Sequence, residues 1–300
     1  MSTPRASTRM LGGLLTAALL LVGCVWVLSR TGEPSGRTVV TVRLWDPAVA
    51  AAYAESFREF SRTHPDIEVR TNVVPYASYF TTLRTDVAGG GADDIFWINN
   101  ASFAEYADNH RLTAIEPGTD WDPSVVAQFT RNGTLWGVPQ LTDAGIALYY
   151  NADLLTADGV DPAVLGALRW DPDPSIDTLR PLLRRLTHGR QWGYNAANDL
   201  QAIYLNYIGS AGGVFSDGDR FAFDNPAAAE AFGYLVGLIN TDHVAPPASD
   251  TNGNGDFSRN QFLSGRMALF QSGTYNLAQI AEQARFRWGW PCCPLGRPAE

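Results

Sequence analysis

Three predicted strands of this 300-residue chain end in side chains that suit recognition of a polar ring. The first ends at Trp45 and Asp46, the second leads into Tyr76, and the third ends at Asn99 and Asn100. Ligands of open parallel α/β sheets bind beyond the carboxyl ends of the strands. Carboxylates and amides hydrogen-bond to hydroxyl pairs, and aromatic rings stack on the C–H faces of sugars. The pattern therefore favours an uncharged, polar, ring-bearing ligand such as a sugar.

Each of these five residues also has a structural role open to it. Asp46 precedes a proline and is a good N-cap for a helix, while Trp45 could belong to the core. Tyr76 begins a predicted helix, directly after a strand. One of Asn99 and Asn100 is expected to cap the helix that follows them.

The elements that position these residues alternate between strands and helices. Strands are predicted at 39–45, 67–73 and 95–98, each followed by a segment with apolar residues at helical spacing. This order predicts a parallel sheet with right-handed crossovers, so the fold class is α/β. Further along, strands are predicted at 144–150 and 267–270, helices at 179–186, at 226–240 and from 273, and a loop at 160–175.

Metal chemistry has little support in the sequence. The four histidines are scattered, and the adjacent Cys292 and Cys293 show no zinc spacing. The segment 250–261 follows the EF-hand pattern at positions 1, 3, 5, 6, 7 and 9, but Gln261 stands at position 12. The same residue types are common in surface turns, so calcium stays an open alternative there. No cofactor is expected.

The composition is that of a globular, acidic protein. It is 45% hydrophobic, and 31 acidic against 22 basic residues give a net charge of −9. A chain this acidic, without a basic stripe, is not expected to bind nucleic acid.

The N-terminus predicts export. Arg5 and Arg9 precede an uncharged run from Met10 to Leu28, as in a signal sequence. The run contains Leu-Val-Gly-Cys at 21–24, which resembles the bacterial lipobox and makes Cys24 the predicted site of lipidation. An uncleaved transmembrane anchor is the alternative, because 19 residues can span a bilayer. In both cases the body lies on the extracytoplasmic face of the membrane.

The order of several short segments resembles the extracellular solute-binding proteins of carbohydrate ABC importers, the family that includes maltose-binding protein. The segments are GGADDI at 90–95, LWGVP at 135–139, LYYN at 148–151, QWGY at 191–194, FLSGRMAL at 262–269 and GTY at 273–275. Asp93 departs from the pattern, since proline is usual at that place.

The resemblance implies two α/β lobes of the periplasmic-binding-protein type, class II, joined by crossing hinge strands. The implied organisation is a lipoprotein signal peptide at 1-23, a tether at 24-37, lobe 1 at 38-142 plus 266-300, and lobe 2 at 143-265. A ligand carboxylate is implied at Asp143 near the lobe crossing, and a stacking aromatic at Tyr275. Asn198 lies where a loop leads into a helix of lobe 2 and is a further candidate ligand group, with a simple helix cap as the alternative.

One departure concerns the end of the chain. The family normally continues well past the region that corresponds to 291–296, whereas this chain ends at Glu300. We therefore expect a C-terminally truncated relative of the family.

Two classes of function compete at this point. The first is a monomeric, non-enzymatic protein that captures a mono- or oligosaccharide and delivers it to the membrane subunits of an ABC permease. A binding protein for another solute, a polyamine or peptide, is a variant of it. The second is a secreted glycoside hydrolase, although the chain has no G-x-S-x-G elbow and no clear Ser/His/Asp order.

Overall fold

A computed structural model describes residues 36–141, 145–218, 220–252 and 254–291. Contacts divide them into two compact units. Unit 1 comprises 36–75 and 81–98, and unit 2 comprises 76–80 and 99–291. The boundaries of these units differ from the limits expected for lobe 1 and lobe 2. The lobe limits stay a prediction.

Unit 1 is built on a three-stranded parallel sheet. Its elements are β1 (Thr38–Leu44), α1 (Pro47–Thr63), β2 (Ile67–Val73), α2 (Tyr76–Gly89) and β3 (Ile95–Phe96), and the first five residues of α2 belong to unit 2. The strand order is β2-β1-β3, with both pairs parallel. The predicted β-α-β-α-β order is therefore confirmed here.

Local sequence explains where the helices of unit 1 begin and end. Asp46 accepts hydrogen bonds from the backbone N–H groups of Ala48 (2.8 Å) and Val49 (3.2 Å), so it caps α1. Gly90 adopts a φ of +72° and ends α2 in the left-handed conformation that glycine tolerates best.

The core of unit 1 is small and contains a buried cation. Val42, Leu44 and Ala50 form its buried apolar cluster. Arg43 lies between them in β1 at 5% exposure and pairs with Asp93 (2.5 Å) and Asp86 (2.7 Å). Burial lowers the pKa of the guanidinium, but these two carboxylates outweigh it and the pKa is raised.

Unit 2 contains most of the described helices and a second sheet. Its elements are α3 (Asn100–Asp108), α4 (Pro123–Gln128), β4 (Thr130–Arg131), β5 (Thr134–Leu135), β6 (Ile146–Asn151), α5 (Ala152–Ala157), α6 (Leu179–Arg185), α7 (Leu205–Ser210), β7 (Ser216–Asp217), β8 (Arg220–Phe221), α8 (Pro226–Asn240), α9 (Ala248–Thr251), α10 (Phe257–Leu263), β9 (Leu269–Gly273), α11 (Leu277–Gln283) and β10 (Trp288–Gly289).

The centre of unit 2 is the antiparallel pair β6 and β9, with β10 on the other edge of β6. The register runs from Ile146 opposite Gly273 to Tyr150 opposite Leu269. All five residues of β9 are buried, and Leu148 of β6 joins a large apolar cluster that also contains Trp170.

Three short segments of unit 2 differ from the sequence-based expectation. The strand predicted at 267–270 runs from Leu269 to Gly273, because its pairing with β6 sets its limits. The predicted loop contains a 3-10 helix at Pro162–Ala167, capped by Asp161. A single π-helical turn at Leu200–Tyr204 precedes α7 and is absent from the predicted elements. Within the described residues, no helix is long and apolar enough to cross a membrane.

Candidate ligand site

Tyr275 is an exposed aromatic side chain that follows the buried strand β9. The residue is 58% exposed and lies in a 3-10 turn at Thr274–Asn276. Its hydroxyl is 3.1 Å from Ser272 Oγ, which in turn accepts a hydrogen bond from Asn276 Nδ2 at 2.8 Å. These bonds orient the phenol while leaving much of it open to a ligand.

Tyr76 is the second exposed tyrosine of unit 2. It is 46% exposed, begins α2, and packs edge-to-face on Phe80 at 5.7 Å between ring centroids. A Cβ placed on Gly255 would lie 3.9 Å from Tyr76 Cδ1, so the loop before α10 passes close to this ring.

Electrostatics joins Tyr76 to three other side chains. Burial raises the pKa of Tyr76, and electrostatic interactions with Tyr275, Asp199 and Asp256 raise it further. Tyr275, Asp199 and Asp256 therefore lie near enough to Tyr76 to interact with it electrostatically. A tyrosine hydroxyl can both donate and accept hydrogen bonds.

Asn198 and Asp199 directly precede the π-helical turn. Asp199 Oδ1 accepts a hydrogen bond from Ala202 N at 2.8 Å and caps the turn. Asn198 is exposed, and its Oδ1 accepts a hydrogen bond from Tyr204 Oη at 2.6 Å. With its oxygen engaged, Asn198 can offer its NH2 group to a ligand. Burial and the charge of Asp199 raise the pKa of Tyr204.

The chemistry of this group suits a hydroxyl-rich ligand. The two tyrosine rings present faces for apolar C–H surface, and their hydroxyls are donors and acceptors. Asp199 and Asp256 supply carboxylates, although Asp256 also pairs with Arg259 at 2.8 Å. We call Tyr76, Asn198, Asp199, Asp256 and Tyr275 the tyrosine site.

The other predicted site residues are placed at helix starts or strand ends. In unit 1, Asp46 caps α1, and the half-buried Trp45 packs edge-to-face on Trp97 with centroids 4.7 Å apart. In unit 2, Asn99 Oδ1 accepts a hydrogen bond from Ser102 N at 2.9 Å, and Asn100 is the exposed first residue of α3. The predicted capping roles of Asp46 and Asn99 are confirmed, while ligand contact by these four residues stays a prediction.

Two predicted sites fall on other parts of the chain. Asp143 and Cys24 lie outside the described residues.

The calcium alternative gains no support. Asp250 lies within α9, Asn254 Oδ1 accepts a hydrogen bond from Asp256 N at 3.2 Å, and Asp256 faces Arg259. Among the residues described, no group of three or more His, Cys, Asp or Glu side chains could hold a metal ion.

Sequence reasoning passed over Asp199 and Asp256 as ligand groups. Asn198 was predicted as a ligand group and its neighbour Asp199 was not. Asp256 was considered only as part of the EF-hand-like segment 250–261. Both aspartates lie more than a hundred positions after Tyr76 in the sequence. No local sequence pattern could therefore indicate that they lie near it.

The comparison with known proteins assigns the family. Residues 45–300 match the family of bacterial extracellular solute-binding proteins. The chain belongs to this family. Membership places it among binding proteins rather than enzymes, so the hydrolase alternative is wrong.

Solved structures and a curated relative agree with the assignment. UspC of M. tuberculosis is 66% identical, with a TM-score of 0.59, over 86% of this chain and 68% of that one. An ABC substrate-binding protein from Listeria monocytogenes, solved with cycloalternan, is 24% identical with a TM-score of 0.71, over 88% of this chain and 68% of that one. The Arabinooligosaccharide-binding protein of Bacillus subtilis is 25% identical over 78% of this chain.

These similarities confirm the predicted α/β, two-lobed periplasmic-binding-protein fold class. The chain spans 54% of the length of the Bacillus relative.

Proposed function

We propose that this solute-binding protein captures a mono- or oligosaccharide and delivers it to an ABC importer from the extracytoplasmic face of the membrane. The observation that carries the proposal is the tyrosine site. Two exposed tyrosines and two carboxylates from four separate segments of unit 2 interact electrostatically there, and the exposed Asn198 is the neighbour of Asp199 in the chain.

The residue types at the site favour a sugar over the other solutes. A sugar ring has C–H faces for Tyr76 and Tyr275 and hydroxyls for the carboxylate and amide groups. The printed names of two similar proteins refer to arabinooligosaccharide and to cycloalternan, which are both carbohydrates. A polyamine would pair with the carboxylates, and its ammonium groups could also lie over the rings, so spermidine is an arm of the test.

Several finer parts of the proposal rest on sequence. Lipidation of Cys24 would tether the protein to the membrane, where the permease subunits lie. The proposal also includes the lobe limits that the family resemblance implies, which are 38-142 plus 266-300 for lobe 1 and 143-265 for lobe 2. We further propose that the protein is a monomer. Family members of this kind close around a ligand by hinge motion, so the closed state supplies the affinity.

The proposal is tested by ligand binding to the full chain and its tyrosine variants. The protein is solubilised in a zwitterionic detergent that has no sugar headgroup, since an alkyl maltoside would itself compete. Thermal melting is recorded against arabinotriose, cycloalternan and a set of monosaccharides, with spermidine and a tripeptide as non-sugar arms. A ligand of the native state raises the melting temperature by mass action.

We expect one sugar to raise the melting temperature and Tyr275→Ala or Tyr76→Ala to weaken its affinity at least about tenfold, or about 1.4 kcal/mol. Tyr275→Phe should lose less, because it keeps the ring. Phe221→Ala is the matched control, since Phe221 is a 76% exposed aromatic of unit 2 outside the tyrosine site. A shift with spermidine or the peptide alone would overturn the sugar proposal.

A further inference from the structure

Gln271 is a fully buried amide in the middle of β9, and both ends of its side chain are engaged. Oε1 accepts a hydrogen bond from Tyr194 Oη at 2.8 Å, and Nε2 donates to the carbonyl oxygen of Ala202 at 2.6 Å. Its backbone is held as well, because Asn195 accepts from Gln271 N at 3.0 Å and donates to Gln271 O at 2.9 Å.

The carbonyl that Gln271 binds lies inside the π-helical turn. Tyr204 N donates to Asp199 O at 3.0 Å, and Leu205 N donates to Leu200 O, so these bonds span five residues instead of four. Such wide single turns are rare and occur frequently at functional sites. Asn206 adds a second amide, which donates to Ala202 O at 3.1 Å and to Gln201 O at 2.7 Å.

The two segments that Gln271 joins both carry ligand groups. The π-helical turn begins directly after Asn198 and Asp199. β9 leads through Ser272 to Tyr275, whose hydroxyl is bound to Ser272 Oγ. A single buried side chain therefore links the backbone that follows Asn198 and Asp199 to the strand that leads to Tyr275.

We infer that Gln271 is a positioning residue for ligand binding, which holds the π-helical turn and so fixes Asn198 and Asp199 relative to the strand that leads to Tyr275. The inference rests on the proposed function for its ligand. A glutamine suits this role because one planar amide can accept from Tyr194 and donate to Ala202 at the same time. An apolar side chain of equal length would fill the space and release the turn.

The test compares Gln271→Met with Tyr234→Phe. Gln271→Met keeps the length of the side chain and removes both side-chain hydrogen bonds. Tyr234→Phe is the matched control, because it too removes a buried hydrogen-bonding group of unit 2. The group it removes is the hydroxyl that donates to Asp177 at 3.0 Å. Both full-length variants are studied in the sugar-free zwitterionic detergent.

The first measurement is hydrogen–deuterium exchange without ligand. We expect the amides of 200–205 to exchange at least tenfold faster in Gln271→Met, with α8 unchanged. Tyr234→Phe should leave 200–205 unchanged. Equal exchange in 200–205 for wild type and Gln271→Met would overturn the inference, as would a uniform acceleration across the whole of unit 2.

The second measurement is the affinity for arabinotriose or cycloalternan, whichever raises the melting temperature of the wild type. Gln271→Met should bind at least tenfold more weakly, and Tyr234→Phe should bind as the wild type does. In an Asn198→Ala background, Gln271→Met should reduce the affinity for the sugar by a smaller factor, because a positioning residue acts through the groups that it positions. A loss of equal size in both backgrounds would indicate a structural role only and would overturn the inference.

Two outcomes keep this inference distinct from the proposed function. If the wild type binds none of the sugars in the melting test, the proposed function fails, and the exchange experiment still decides whether Gln271 holds the turn. If Gln271→Met does not fold, Gln271→Leu removes the same two side-chain hydrogen bonds with a shorter apolar side chain, and the same exchange and affinity criteria apply to it.

Discussion

At the scale of single residues, Asp46 combines a structural role with a predicted ligand role. Its Oδ1 accepts two backbone hydrogen bonds at the start of α1. Asp46→Ala should therefore lower the free energy of unfolding by about 1 kcal/mol, whereas Asp46→Asn should stay within a few tenths, because both side chains are good N-caps. Denaturant unfolding of the full chain measures both values.

The asparagine variant then separates folding from binding. If the charge of Asp46 contacts the sugar, Asp46→Asn binds more weakly at unchanged stability. Equal loss of stability in the alanine and asparagine variants would contradict the capping role derived from the structure.

At the scale of elements, Asp177 couples two helices of unit 2. It accepts hydrogen bonds from Leu179 N and Arg180 N at the start of α6, both at 3.1 Å, and from Tyr234 Oη of α8 at 3.0 Å. Burial is the largest influence and raises the pKa of Asp177 above its usual value of 3.8, although the hydrogen bonds and Arg180 oppose it.

The sign of the pH dependence follows from this direction. The folded protein holds the Asp177 proton more tightly than the unfolded chain does, so unfolding releases a proton. The contribution of Asp177 to stability therefore falls as the pH rises from about 4 through its raised pKa. Asp177→Asn should remove this negative slope from a plot of unfolding free energy against pH.

Asp173 provides the control for this experiment. Its carboxylate accepts a hydrogen bond from Ser175 N at 2.8 Å, and the bonds to Ser175 lower its pKa. Its stabilising contribution is present above the ordinary pKa and is lost as the pH falls. Asp173→Asn should therefore change the profile in the opposite sense. If the unfolding free energy of Asp177→Asn varied with pH in parallel with that of the wild type, the raised pKa of Asp177 would be refuted.

At the scale of the whole molecule, the proposed location depends on Cys24. If the protein is a lipoprotein, mass spectrometry of the membrane-extracted chain should find a lipidated Cys24 as the first residue. Cys24→Ala should abolish this cleavage and modification. An intact Met1 in the wild type would favour the transmembrane-anchor alternative and would contradict the lipid anchor.

Much of the fold could be predicted from the sequence because its signals are local. The run from Val39 to Trp45 and the alternation after Ile67 were sufficient for the parallel strands of unit 1. Asp46 before Pro47 and Asn225 before Pro226 marked the starts of α1 and α8, where caps and prolines act within a few residues. The family could be inferred from the order of short segments along the chain.

The tyrosine site required the tertiary structure. The sequence indicated Tyr76, Asn198 and Tyr275 separately, but it contained no sign that Asp199 and Asp256 share their neighbourhood. The sequence did not predict the π-helical turn, because the turn is held by Gln271 of β9, which lies about 70 residues further along the chain. Caps and strands depend on neighbours in sequence, whereas this site and its support depend on side chains that only folding brings into contact.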